Sequence, residues 1–232
     1  MHTDAGHRQR MKSRFRAEGL DSFDEVHVLE LLLFYAVPRK DTKTLARELL
    51  DQFGTLSNVL EATAKELETV DGVGENISTF LTLTTAVGRY YQINRSANHG
   101  ILSSTEACGR YLLDHFYGCR NETVYLLCLD AKCMILCCRK VGEGDVNAAN
   151  IPIRRIVEIA LGVNATSVIL AHNHPSGIAV PSREDILTTQ KVARALAAMD
   201  IVLTDHIVTA DEDFVSLAQS GMYNPMEFCN LR

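Results

Sequence analysis

His172 and His174 stand two residues apart, just after an apolar run from Ser167 to Leu170. Residues two apart on an extended chain point to the same side, so both imidazoles can converge on one point. A turn built from Pro175, Ser176 and Gly177 follows, and the chain restarts at Pro181-Ser182 with a helical pattern that carries Asp185 on its first turn. Two neutral imidazoles and one carboxylate, with room left for a water, are the ligand set of a catalytic zinc site. Each residue alone has a plainer reading. A single histidine at a strand end is usually packed or solvated. Ser182, followed three residues later by Asp185, reads equally well as a helix N-terminal capping box. The two readings of Ser182 and Asp185 are compatible, because a cap can also face a metal.

The rest of the chain must position these groups. Its 232 residues suffice for one large domain or two small ones with a true core. A net charge of −6 excludes a protein that is basic overall, so any nucleic-acid contact has to be local. The seven cysteines, at 108, 119, 128, 133, 137, 138 and 229, contain no Cys-x-x-Cys pair, which speaks against a disulfide framework or a cysteine zinc knuckle. Those at 128, 133, 137 and 138 fall in apolar, strand-like runs, where a free thiol behaves as a small hydrophobe. No apolar signal core follows the basic start. The longest apolar stretch, Leu29 to Val37, is interrupted by Glu30 and too short to span a bilayer. The expectation is a cytoplasmic protein without membrane contact.

The first part of the chain reads as helical. Arg8, Arg10, Lys12, Arg14 and Arg16 alternate with other residues, which on a helix spreads charge around the whole circumference. This segment reads as a solvated, partly disordered arm, with a phosphate-tracking segment as the alternative. Spacing predicts a helix from Ser22 to Ala36, stopping before Pro38. A second helix, capped by Asp41 or Thr42, runs to about Gln52, and Gly54 ends it. Shorter ones follow over 56–60 and 65–69. Val70-Asp71-Gly72-Val73-Gly74 then opens a long helix from Glu75 to about Tyr91. Its two glycines allow a sharp turn that presents backbone N–H groups to an anion. Asp71 and Glu75 flank that turn and would repel a phosphate. Both a packing role and weak, sequence-independent DNA contact through residues 1–95 therefore stay open.

The polar stretch 96–104 reads as an interdomain linker containing an exposed His99. Ser104 can cap a helix to about His115. Val124–Leu129 and Met134–Val141 are apolar runs joined by Asp130-Ala131-Lys132, which predicts an antiparallel hairpin. A helix from about Pro152 to Leu161 precedes the strand that delivers the histidines. The helix from Ser182 continues to Met199, Ile201–Thr209 returns as a strand, and Phe214–Gln219 suggests a short final helix. Asp205-His206 lies on that returning strand, where adjacent side chains face opposite sides. The pair reads as buried and structural, with an orienting partner for a metal ligand as the alternative. Strands interleaved with helices imply a central sheet covered on both sides.

The spacing His-x-His, seven residues, Ser, two residues, Asp resembles the JAMM motif of zinc-dependent proteases. The fuller string His-Asn-His-Pro-Ser-Gly, with a following Pro-Ser, is similar to RadC, the bacterial branch of that family. The likeness extends to the basic start, to Tyr-Ala-Val-Pro-Arg-Lys-Asp-Thr at 35–42 and to the glycine hairpin. It implies an α/β fold in two parts: an all-α helix-hairpin-helix domain over 1–95 and, beyond the linker, a JAMM-type domain over 105–232 with a central mixed sheet flanked by helices. It implies Zn²⁺ on His172, His174 and Asp185, a catalytic glutamate at the head of the first core strand, which is Glu122, and Ser182 as donor to an oxyanion. Glu143, Glu158 and Glu184 compete with Glu122 for the role of base. The implied activity is hydrolysis of an amide in a peptide or protein substrate. The alternative is a DNA-repair or recombination accessory whose metal site is structural or vestigial. A zinc deaminase is a poor match, since its His-x-Glu and Pro-Cys-x-x-Cys elements are missing, and the His-Glu-x-x-His helix of other zinc proteases is absent too.

Overall fold

The computed structural model of the chain describes residues 3–37, 42–97, 100–144 and 151–229. The chain divides into two compact units, Met1–Gly88 and Arg89–Arg232. Asp41, expected as a helix cap, and His99, expected in the linker, lie outside the described residues.

In the first unit, helices α1 (Thr3–Glu18), α2 (Glu25–Ala36), α3 (Lys43–Phe53), α4 (Leu56–Glu61) and α5 (Ala64–Leu67) are followed by the start of α6 (Glu75–Ala97). Leu29, Leu33, Leu49, Val59, Leu67 and Leu81 fill its core. Asp24 caps α2 by accepting the His27 N–H at 2.8 Å, and the helix ends at Ala36, ahead of Pro38 as the backbone clash requires. Thr42 stands at the N-cap of α3 without a side-chain cap bond.

The segment expected as a partly disordered arm is instead the helix α1. Charge does run around its circumference, but His7, Met11 and Arg14 recur at i, i+4 and i+7 and so share one face. Met11 is buried with Leu31 and Phe34, His7 Nε2 lies 3.0 Å from Glu30 Oε1, and Arg14 sits over the Phe23 ring. Arg8 stacks on Phe34 and donates to the Val37 carbonyl at 2.8 Å. Stems and rings of polar residues thus supply the contacts that an apolar stripe would otherwise give. In the turn before α6, Val70 and Val73 are buried in the core.

The second unit is built on five strands: β1 (Thr123–Leu129), β2 (Ile135–Glu143), β3 (Ser167–Asn173), β4 (Val202–Ala210) and β5 (Asp213–Ser216), in the order β2-β1-β3-β4-β5. Only β3 and β4 run parallel; the other neighbours are antiparallel. Helices α7 (Thr105–Phe116), α8 (Ile153–Gly162), α9 (Arg183–Ala197) and α10 (Met226–Cys229) complete it. All seven residues of β1 are buried, and alternation sends them to opposite faces. Val124, Leu126 and Cys128 join a core with Ile156 of α8 and Val192 and Leu196 of α9. Tyr125, Leu127 and Leu129 join a second core with Tyr111 and Leu112 of α7. This is the expected mixed sheet with helices on both faces. Of the stretch read as a linker, Leu102 is buried in that second core, and its N–H donates to the Cys133 carbonyl.

The end of the chain departs from expectation. Residues 213–216 are not helical but form β5, paired with β4 from Ile207↔Ser216 to Ala210↔Asp213. Two contacts favour the strand. The Asp205 carboxylate accepts from Ser216 Oγ at 2.5 Å and from the Ala218 N–H at 3.1 Å. Phe214 lies against Gly109 of α7 so closely that any β-carbon at 109 would overlap its ring. The six cysteines whose side chains are described are free thiols, and burial, with Asp205 and Cys133 adding to it, pushes the Cys108 thiol up to about 11. Among the described residues no helix is long and apolar enough to cross a membrane.

Candidate metal centre

Strand register sets the geometry. Val124 lies opposite His172 across β1 and β3, so stepping two residues outward along each strand brings Glu122 across from His174. Asn173, between the histidines, faces the other way. Its side-chain carbonyl accepts the Thr123 N–H at 2.7 Å, and its amide donates to the Asn121 and Cys119 carbonyls at 3.2 and 3.4 Å. The chain on both sides of Glu122 is thereby tied to the middle of the histidine pair.

His172 and His174 turn their Nε2 atoms toward each other at 2.9 Å. The Nδ1 of His174 lies 2.9 Å from the carbonyl of Ile178. A carbonyl only accepts, so that Nδ1 carries a proton, and in the neutral ring Nε2 then keeps a lone pair. The loop that supplies this carbonyl turns at Gly177 with φ +80°, a backbone region that glycine enters without strain.

Asp185 arrives on the first turn of α9. The Ser182 Oγ accepts the Asp185 N–H at 3.1 Å, and Asp185 Oδ2 accepts the Ser182 N–H at 2.7 Å, which completes the capping box. Its Oδ1 lies 3.4 Å from His172 Nε2 and its Oδ2 3.8 Å from His174 Nε2. Burial opposes the charge on Asp185, but the adjacent His172 and the Ser182 N–H outweigh it and hold the carboxyl well below the usual carboxylate range. Ligand atoms of Glu122, His172 and His174 also lie within 4.8 Å of one another. The histidine pair is therefore shared between two carboxylates, one buried and braced by a helix start, the other half-buried at a strand start. Imidazole nitrogen and carboxylate oxygen are donors suited to zinc and its neighbours in the transition series, and Glu122, His172 and His174 form a group that could hold a metal ion.

Of the competing glutamates, Glu143 pairs with Lys140, whose hydrogen bond lowers its pKa, and Glu158 pairs with Arg154. Asp205 and His206 do not form a side-chain pair. Asp205 serves the turn after β5, as described, whereas His206 is fully buried beside the site. Its Nε2 lies 2.8 Å from His172 Nδ1, and its Nδ1 lies 2.6 Å from Thr189 Oγ1. Burial first, then the His172 imidazole, pushes the pKa of His206 well below the ordinary histidine value, with Asp185 opposing. Thr189 and Asn173 were not singled out by their sequence context. Thr189 could have been flagged by its place one helical turn beyond Asp185, on the same face. Asn173 could have been flagged as a polar residue at the buried end of an apolar strand.

A family model described as a RadC-like JAB domain matches residues 102–222. Similar proteins include a UPF0758 protein of Fusobacterium nucleatum, 33% identical over 224 residues, which cover 94% of this chain and 97% of that protein. Another, from Rhodobacter capsulatus, is 34% identical over 212 residues, covering 91% and 99%. A third, from Ruegeria pomeroyi, is 33% identical over 215 residues, covering 93% and 96%.

Proposed function

We propose, from the premise that this chain belongs to the RadC family, that its second unit is a zinc-dependent amide hydrolase acting on a peptide or protein substrate. The observation that carries this reading is the approach of His172 Nε2 and His174 Nε2 to 2.9 Å with the carboxylates of Asp185 and Glu122 close to them. Asp185 is the third ligand, because it is buried, held in place by Ser182 and biased toward its charged form. Zinc bound there would supply Lewis acidity and lower the pKa of water from 15.7 to about 7.

The remaining steps belong to the protein. Glu122, half-buried and tied on both flanks through Asn173, would receive the proton from the attacking water and return it to the departing amine. Ser182 Oγ accepts from the Asp185 backbone, which leaves its own proton to donate to the developing oxyanion, worth on the order of a hundredfold or more in rate. The loop Pro175 to Val180 shapes the approach, and its Ile178 and Val180 side chains are exposed. Zinc analysis of the purified full chain, together with cleavage of a mixed peptide pool before and after chelation, tests this reading. One equivalent of zinc and chelator-sensitive cleavage are expected; a folded chain that takes up no zinc sinks it.

A second reading, weak sequence-independent DNA contact through residues 1–95, draws its support from α1, which leaves Arg10 and Arg16 exposed. The acidic flanks Asp71 and Glu75 weigh against it. A gel shift with the full chain at low salt decides: retardation lost in the Arg10→Glu/Arg16→Glu variant supports contact, and no retardation removes it.

A further inference from the structure

We infer that Thr189 and His206 form a positioning relay that determines which nitrogen of His172 carries a proton, and so whether His172 can act as a ligand. The inference rests on the metal reading of the site. Four groups stand in line: the Asp185 main-chain carbonyl, Thr189 Oγ1, the His206 ring and the His172 ring. Thr189 Oγ1 is 2.6 Å from the Asp185 carbonyl and 2.6 Å from His206 Nδ1, while His206 Nε2 is 2.8 Å from His172 Nδ1. The hydroxyl has one proton and each neutral ring has one N–H. Filling the Thr189–His206 and His206–His172 links leaves two arrangements, one of which also fills the Thr189–Asp185 link and the other the His172–His174 link.

In the first, Thr189 donates to the Asp185 carbonyl and accepts from His206 Nδ1–H. His206 Nε2 is then bare and accepts from His172 Nδ1–H, which leaves His172 Nε2 with a lone pair. His174 already holds a bare Nε2, because its Nδ1–H is taken by Ile178. Two lone pairs then face each other at 2.9 Å, an arrangement relieved by a cation that both nitrogens coordinate. In the second, Thr189 donates to His206 Nδ1, His206 Nε2–H donates to His172 Nδ1, and His172 Nε2–H donates to His174. That chain needs no ion and cannot bind one through His172. Both arrangements contain the same protons, so passing from one to the other moves protons along the line and releases none.

Thr189 is what makes the ligating arrangement available. Its hydroxyl can turn from the ring to the carbonyl one helical turn back and then accept the His206 proton. The same helix, α9, therefore supplies the carboxylate ligand and sets the form of the imidazole ligand. Metal-ligating histidines generally need such a partner on the second nitrogen, and losing one costs about 10- to 100-fold in metal affinity or activity.

The test uses the full chain with ¹⁵N-labelled histidine, with and without zinc, alongside Thr189→Val and Thr189→Ser variants checked for folding by circular dichroism. In the zinc-loaded parent, His206 and His172 are both expected to carry their protons on Nδ1. Thr189→Val is expected to bind zinc about 10- to 100-fold more weakly, and Thr189→Ser, which keeps the hydroxyl, to recover most of that loss. A proton on His206 Nε2 in the loaded parent, or a folded Thr189→Val that binds zinc as tightly as the parent, overturns the relay. A parent that takes up no zinc refutes the metal reading by itself. The relay then stands if Thr189→Val changes which nitrogen of His206 is protonated, and falls if it does not.

Discussion

The side chain of Asn173 accepts the backbone N–H of Thr123 at 2.7 Å, so the residue between the two histidines holds the strand start that carries Glu122. Two strands that meet only through their ladder would leave Glu122 two residues beyond Val124↔His172, the last pair between β1 and β3. The asparagine extends the hold past the end of the ladder. Asn173→Ala leaves the buried Thr123 N–H and two carbonyls without their partner, at a cost of about 1–3 kcal/mol. Zinc content should be unchanged while amide exchange at Thr123 accelerates. An exchange rate equal to the parent's would mean that Asn173 does not hold this segment.

The two carboxylates should separate by substitution. His172→Ala and Asp185→Ala are expected to lose zinc, and Glu122→Gln to keep it while losing cleavage. In the parent, a bound metal at 100 times its Kd stabilises by about 2.7 kcal/mol, so chelation should lower Tm in step with zinc removal. Zinc retained by Asp185→Ala but lost by Glu122→Gln would exchange the two roles.

Acid should destabilise the second unit through a group far from His172 and His174 in sequence. His115 is buried on the α7 face of the sheet, with Nδ1 3.1 Å from the Tyr111 carbonyl. Burial pushes its pKa down, and the Tyr111 carbonyl and Asp114 only partly offset this. Below about pH 6.5 the unfolded chain takes up a proton there that the native ring resists, so stability falls as pH drops from that point toward the depressed native value. Urea midpoints at pH 8 and pH 5.5 should differ less in His115→Gln than in the parent. Equal pH dependence in both would remove His115 as the source.

Gly109 and Phe214 should behave as a pair. Gly109→Ala gains about 1 kcal/mol of helix propensity, yet the new β-carbon overlaps the Phe214 ring, and overpacking of this kind costs about 1–3 kcal/mol. A net loss of stability is expected, relieved when Phe214→Leu is added. Thermal unfolding of the four proteins of the cycle reads the coupling, and additive effects would show that the ring moves aside freely.

Much of this was legible along the chain because it depends on near neighbours. The apolar run that became β1, the Ser104 cap, the hairpin turn at Asp130 and the two-residue spacing of His172 and His174 are local patterns, and local patterns survive being read one residue at a time. α1 was misread because its helix is held by cation–ring and hydrogen-bond contacts with α2, which no hydrophobic period records. β5 was misread because four residues carry too little periodicity to distinguish strand from helix, and the Asp205 carboxylate and the Gly109 surface made the choice. The sequence by itself determined which donors the site contains and that a helix start would deliver Asp185. Tertiary structure decided that Asn173 braces Glu122 and that His206 and Thr189 stand behind His172. Those relationships join residues brought together by strand register and helix packing, and the positions of donors and acceptors across a sheet exist only once the sheet has formed.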